Sequence, residues 1–130
     1  MPCETSSQTT WIIFDVPYPA CPKPRPRFVR DGWAHMPPKY VAWKRQAIPA
    51  LLAQAKAQNL QIPITDPHRI EIVLESPSSR GDIDNWAGSV LDVLVQSAIL
   101  ADDNLLIVPE LIARWKRGAP ACCTVTLVPV

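Results

Sequence analysis

Aspartates recur in two short stretches of this chain, Arg80-Gly81-Asp82-Ile83-Asp84-Asn85 and Asp102-Asp103. No histidine, cysteine or activated serine adjoins them, so the chemistry on offer is that of carboxylate oxygens holding a hard divalent cation, magnesium or manganese, that activates water. Asp82 and Asp84 are two apart, which in an extended segment points both carboxylates one way and Ile83 into the protein. Carboxylates gathered in a small volume repel one another, and a bound cation relieves that repulsion. An Asp-x-Asp pair by itself is a weak signal. Asp84 can equally be the N-cap of a helix starting at Asn85, where its charge suits the helix dipole; Asp82, which cannot cap that helix, is left unexplained.

Between the acidic stretches, Trp86, Val90, Val93 and Leu94 recur at helical spacing, so a packed helix over Trp86 to Leu100 should carry acidic groups at both ends and make one acidic site of them. Leu91, Val95 and Ile99 lie off the main apolar stripe. That surplus suits either a helix buried against a partner as well as the sheet, or a fully buried helix within one chain.

The remaining elements follow from pattern. Met1 to Thr10 reads as a loose polar tail, followed by a single domain over residues 11–130. Trp11 to Val16 is β-prone. Pro17 to Phe28 has a proline at every second or third position and must run as a stiff extended arm. Asp31-Gly32 marks a turn, and Gly32 to Met36 continues a short hairpin up to Pro37-Pro38. Lys39 to Ala57 reads as a helix with Val41, Ile48, Leu51, Leu52 and Ala55 on one side, kinked or divided at Pro49. His68 to Leu74 alternates as a strand leading into the acidic loop. Leu105 to Val108 and Leu111 to Lys116 read as one strand interrupted at Pro109, and Cys122 to Val128 should pair antiparallel with it after the Gly118-Ala-Pro120 turn. The sum is an α+β fold, β-α-β-α-β-β, with two helices against a small mixed sheet.

Charge sharpens the functional reading. The net charge of the 130 residues is only +1, yet residues 21–45 carry a local balance of +6 and residues 66–110 one of −7. A basic arm beside an acidic pocket suits a polyanion gripped in one place and attacked in another, although two oppositely charged solvated surfaces would give the same balance. Lys23, Arg25, Arg27, Arg30, Lys39 and Arg80 are the residues that would meet phosphates, and Phe28 or Trp33 could wedge against an unstacked base.

Several classes drop out. Cys3, Cys21, Cys122 and Cys123 show no Cys-x-x-Cys spacing and His35 and His68 stand apart from them, which argues against zinc and for reduced thiols. An EF-hand loop starting at Asp82 would need glycine where Ala87 stands and glutamate where Val93 stands. A metal-dependent glycosyltransferase with its Asp-x-Asp after a strand would need a longer chain. No apolar run reaches membrane-spanning length and the first residues are not signal-like, so the cytoplasm is the default compartment.

Taken together, Asp82-Ile-Asp84-Asn85, a helix, and Asp102-Asp103, with Pro22-Lys-Pro-Arg-Pro-Arg-Phe28, Gly32 and Pro38-Lys39 upstream, resemble the RusA-like Holliday-junction resolvases, small crossover-junction endodeoxyribonucleases. The resemblance covers Trp11 to about Val128. It implies a RusA-like homodimeric fold, cleavage of four-way DNA in recombination and repair, and magnesium held by the catalytic aspartates Asp82, Asp84 and Asp103, with Asp102 as their neighbour. One departure stands out: the family commonly carries a lysine four residues after the second motif aspartate, and Gly88 occupies that position. Either Arg80, Lys39 or Lys23 substitutes for the missing cation, or the protein binds junctions with weak or lost cleavage.

Overall fold

The computed structural model describes residues 11–19, 27–28, 34–35 and 38–130. Its elements are β1 (Ile12–Val16), β2 (Arg27–Phe28), β3 (Ala34–His35), α1 (Pro38–Ala57), β4 (His68–Ser76), α2 (Ile83–Gln96), β5 (Glu110–Arg117) and β6 (Cys122–Pro129). The short β2–β3 ladder is the expected hairpin, with Arg27 opposite His35 and Phe28 opposite Ala34. The other four strands form a mixed sheet in the order β1-β6-β4-β5.

The expected pairing of the last two strands does not occur. β5 runs parallel to β4 on one side, while β6 runs antiparallel to β4 on the other and also to β1. Burial explains the choice. Cys123, Val125, Leu127 and Val128 of β6 are buried and need the sheet interior, whereas β5 exposes Glu110, Arg114, Lys116 and Arg117 and is suited to an edge. The connection over 118–121 therefore crosses the end of β4, about 10 Å from strand to strand-but-one, within the reach of four residues. The crossing is held by the Gly118 N–H, which donates to the Ser76 carbonyl (3.1 Å), with the Glu75 side chain against the glycine.

One face of the sheet carries the core. Phe14 and Val16 of β1, Cys123, Val125 and Leu127 of β6, and Ile70, Ile72 and Leu74 of β4 all point to it. Strand alternation turns Arg69, Glu71 and Glu75 to the opposite face, where Arg69 pairs with Glu71 and Lys116 with Glu75. Both helices pack on the core face, α1 against β1 and α2 against β5.

In α1 the buried stripe is Tyr40, Trp43, Ala47, Leu51 and Ala55, which keeps Leu51 and Ala55 of the expected side, with Ile48 partly buried beside it, but adds the aromatic pair and leaves Leu52 exposed. The aromatic pair sets the rotation of the helix. Tyr40 donates to Asp92 of α2, and Trp43 Nε1 donates to the Pro17 carbonyl (2.7 Å). Pro49 does not divide α1; it is exposed, as is Arg45 one turn earlier, so water can serve the carbonyl that proline leaves without a donor.

Leu105 to Val108 is not strand. The Asn104 side chain accepts from the N–H groups of Leu106 and Ile107 (3.1 Å each), and this local turn outcompetes a ladder. Ile107 and Val108 are buried as an anchor while Leu105 and Leu106 stay exposed. No helix among the described residues is long and apolar enough to cross a membrane.

Candidate active site

The helix that joins the acidic stretches starts earlier and ends earlier than its apolar pattern indicates. Asp82, in extended conformation, is the N-cap of α2, but its side chain makes no capping hydrogen bond. Asp84 sits in the first turn, where its Oδ1 accepts from the Asn85 N–H (2.9 Å). This reverses the expected assignment of the cap to Asp84. It also ends the extended alternation at Asp82, so Ile83 is 43% exposed instead of buried. At the far end, Ser97 closes the helix, and Ala98, with φ of 62°, turns the chain so that the N–H groups of Ile99 and Leu100 both donate to the Leu94 carbonyl. Ile99 and Leu100 are buried, and Leu91 and Val95 pack partly buried against the same core. The apolar surplus of the helix is thus taken up within one chain.

Asp102 and Asp103 leave from that C-terminal end. Ala101 N–H donates to the Ile64 carbonyl just before β4, and His68 N–H at the start of β4 donates to the Ile107 carbonyl, so this loop lies beside the beginning of β4. Asp82 lies beyond the other end of β4. The 14 residues of α2 separate the two by about 20 Å. Among the described residues, no group of three or more His, Cys, Asp or Glu side chains could hold a metal ion. The expectation that both stretches form one acidic site within a single chain is therefore not met, because a straight helix holds its ends apart.

What each carboxylate does locally differs. Asp82 and Asp84 are favoured by the positive end of the helix dipole. Asp102 shapes its own turn, accepting from the Asp103 N–H (2.7 Å) and from Asn104 Nδ2 (3.2 Å). Asp103 is exposed, its carboxylate has no hydrogen-bond or ion-pair partner among the described residues, and it stands at the negative end of a helix with no basic residue in its last turn. Nothing in the fold rewards its charge. The Asp82 carboxylate is likewise exposed and without a partner among the described residues, so both offer free hard oxygens of the kind a divalent cation takes.

The Asp82 end is rigidly built. The Ser76 hydroxyl donates to the Ser78 carbonyl (2.8 Å), the Arg80 N–H donates to Ser78 Oγ (3.3 Å), and Arg117 donates to the Pro77 carbonyl (2.6 Å). Gly81 has φ of +100°, and a Cβ there would meet Trp86 Nε1 at 2.2 Å. Only glycine fits both the backbone and the ring. Next to it opens a cavity of about 180 Å³ lined by Ser79, Arg80, Gly81, Ile83, Trp86 and Trp115. By spacing Trp86 counts as a core residue, and nothing in the sequence gives Trp115 a role. The available signal was the Gly81-to-Trp86 spacing, but Trp115 joins the cavity only through the register that sets it beside Leu74.

Among the basic candidates, Arg80 lines this cavity, exposed and without an ion-pair partner among the described residues. Lys39 is exposed at the start of α1, and Arg27 lies in β2. Lys23, Arg25, Arg30 and Trp33, the tail to Thr10, and Cys3 and Cys21 fall outside the described residues. Cys122 and Cys123 are free thiols. Burial, then the neighbouring Cys122 and Asp15, push the Cys123 thiol up from 9.0 to about 12.

Residues 17–127 match the family described as Endodeoxyribonuclease RusA. A protein of Aquifex aeolicus (strain VF5) named crossover junction endodeoxyribonuclease RusA is 29% identical over 95 residues, which cover 71% of this chain and 72% of the relative.

Proposed function

The chain belongs to the endodeoxyribonuclease RusA family, and on that premise we propose that it is a structure-specific nuclease that cuts the phosphodiester backbone of four-way DNA junctions in recombination and repair. The observation that carries the reading is the pair of exposed, unpartnered carboxylates at opposite ends of α2, Asp82 and Asp103, inside the matched segment. A fold gains nothing from Asp103 where it stands, and a reaction at phosphorus does.

Asp82, Asp84 and Asp103 are the proposed catalytic carboxylates and magnesium ligands. Their oxygens fit a hard cation by type, but one chain does not supply them in one place, so the donor set requires a second copy. A two-fold homodimer with its α2 helices antiparallel would bring the first two beside Asp103 of the partner subunit, once in each direction. Once bound there, magnesium, or manganese in its stead, would supply charge neutralisation at phosphorus and a more acidic water. The chain's own residues do the remainder. The Gly81 loop fixes Asp82 against Trp86, and Asp84 is held by its bond to the Asn85 N–H. Arg80 stands in for the lysine that Gly88 replaces, offering a guanidinium to the phosphate under attack. Lys23, Arg25, Arg27, Arg30 and Lys39 grip flanking phosphates without reading sequence. A DNA substrate and free thiols suit the cytoplasm.

Asp82→Asn tests the assignment on a synthetic four-way junction with magnesium. Nicking should fall to background while junction binding without divalent cation stays within about twofold, since phosphate contacts supply most of the affinity. Undiminished nicking by this variant would end the proposal.

A further inference from the structure

We infer that the tryptophan-lined cavity beside Asp82 is a seat for one unpaired nucleobase of the strand being cut; the inference rests on the junction-cutting reading above. The cavity is lined by Trp86 and Trp115 together with Ser79, Arg80, Gly81 and Ile83. Trp115 is 38% and Ile83 43% exposed, large apolar groups left partly uncovered, Ile83 next to Asp82 in the chain and Trp115 on β5 beside Leu74 of β4.

The hydrogen bonding of the two indoles says what kind of group they meet. Trp86 Nε1 donates to the Arg80 carbonyl (3.1 Å) and Trp115 Nε1 donates to Ser76 Oγ (2.9 Å). Both ring donors are spent on the protein, so neither can read a base edge. What remains is aromatic surface, which stacks on any base. Tyr18 backs Trp86 at 5.5 Å, which holds that ring in place.

The charges complement a nucleotide rather than a free apolar ligand. Arg80 is in the lining, and the Arg117 guanidinium, bonded to the Pro77 carbonyl, lies over the Trp115 ring 5.5 Å from its centre and backs one face of it. A base stacked on the exposed indole surface would carry its phosphates towards Arg80. Because Gly81 admits no side chain against Trp86, the cavity wall and the backbone that carries Asp82 form one rigid unit. A seated base would therefore set the position of its own phosphate relative to that carboxylate. Linear duplex keeps its bases stacked and paired, whereas a branch point offers unstacked ones at little cost. The seat is thus a device for preferring branched DNA.

The test walks a single abasic nucleotide across the positions flanking the cut in a four-way junction, with linear duplex as control, and measures binding by anisotropy without divalent cation. One abasic position should weaken wild-type binding roughly 5- to 150-fold, the range for losing one base stacked on an aromatic ring. Trp115→Ala should show that same loss on the intact junction and no further loss on the abasic one. Trp115→Phe should retain most of the affinity, and duplex binding should be unchanged in all three proteins. Equal losses of Trp115→Ala on junction and duplex, or an abasic effect undiminished in that variant, would overturn the inference. So would a change from dimer to monomer on sedimentation of Trp115→Ala, which would make the cavity a contact between copies. Wild-type protein that cuts junctions with no abasic dependence sinks the seat and leaves the nuclease. Abasic dependence without any cutting does the reverse.

Discussion

Mixing two inactive variants offers a direct check on how the aspartates come together. Asp82→Asn and Asp103→Asn each remove one proposed ligand, and as homodimers each should leave both sites one carboxylate short. The 20 Å length of α2 decides what happens on mixing. If each site takes Asp82 and Asp84 from one chain and Asp103 from the other, a mixed dimer concentrates both substitutions in one site and leaves its second site whole. Random exchange at equal concentrations gives about one half mixed dimers with one good site in two, hence about a quarter of wild-type nicking. If instead each chain built its own site, every site in the mixture would carry one substitution and nothing would be recovered. The assay is magnesium-dependent nicking of a labelled junction after subunit exchange, with exchange verified by native mass of differently tagged copies. Complete exchange without recovery would refute the shared-site reasoning, as would a monomer that cuts at the wild-type rate.

Three further outcomes follow from the packing. Gly81→Ala should cost about 2–3 kcal/mol in urea unfolding, combining the left-handed backbone penalty with loss of the Trp86 to Arg80 hydrogen bond, and should lower nicking as Asp82 shifts; a neutral variant would show that the Gly81 loop is not tight. Leu51→Ala should destabilise by about 2–5 kcal/mol because Leu51 is fully buried, whereas Leu52→Ala should stay near 0.5 kcal/mol; comparable losses at the two positions would restore the aliphatic stripe read from the sequence, which counts both. For the thiols, a maleimide reagent at pH 8 should label exposed Cys122 readily and Cys123 only on unfolding, as mass mapping would show. Since Cys123 is raised in the fold to about 12 from 9.0, the native state binds the extra proton between those values. Its contribution leaves stability unchanged below about pH 9 and lowers it as pH rises through about 12, by up to about 1.4 kcal/mol for each unit. Replacing Cys123 with alanine should flatten that slope.

The sequence by itself determined the class of fold and the chemistry on offer. Period-two and period-3.6 patterns are local properties, so the strands from His68 and Cys122 and the helices over residues 38–57 and 83–96 were legible, and the spacing of Asp82, Asp84 and Asp103 carried the family resemblance that the comparisons bear out. Capping was less legible, because Asp82 and Asp84 are chemically equivalent candidates and only the backbone path selects between them. Three matters belonged to the tertiary structure. The side of β4 on which β6 settles depends on which strand can afford an edge, a comparison among strands far apart in the chain. The rotation of α1 was decided by where Tyr40 and Trp43 find Asp92 and the Pro17 carbonyl. The separation of Asp82 from Asp103 came from a helix packed lengthwise against the sheet, and the cavity lined by Trp86 and Trp115 from a strand register. Each is a relation between distant segments, and one-dimensional spacing does not encode which end of an element its neighbours will meet.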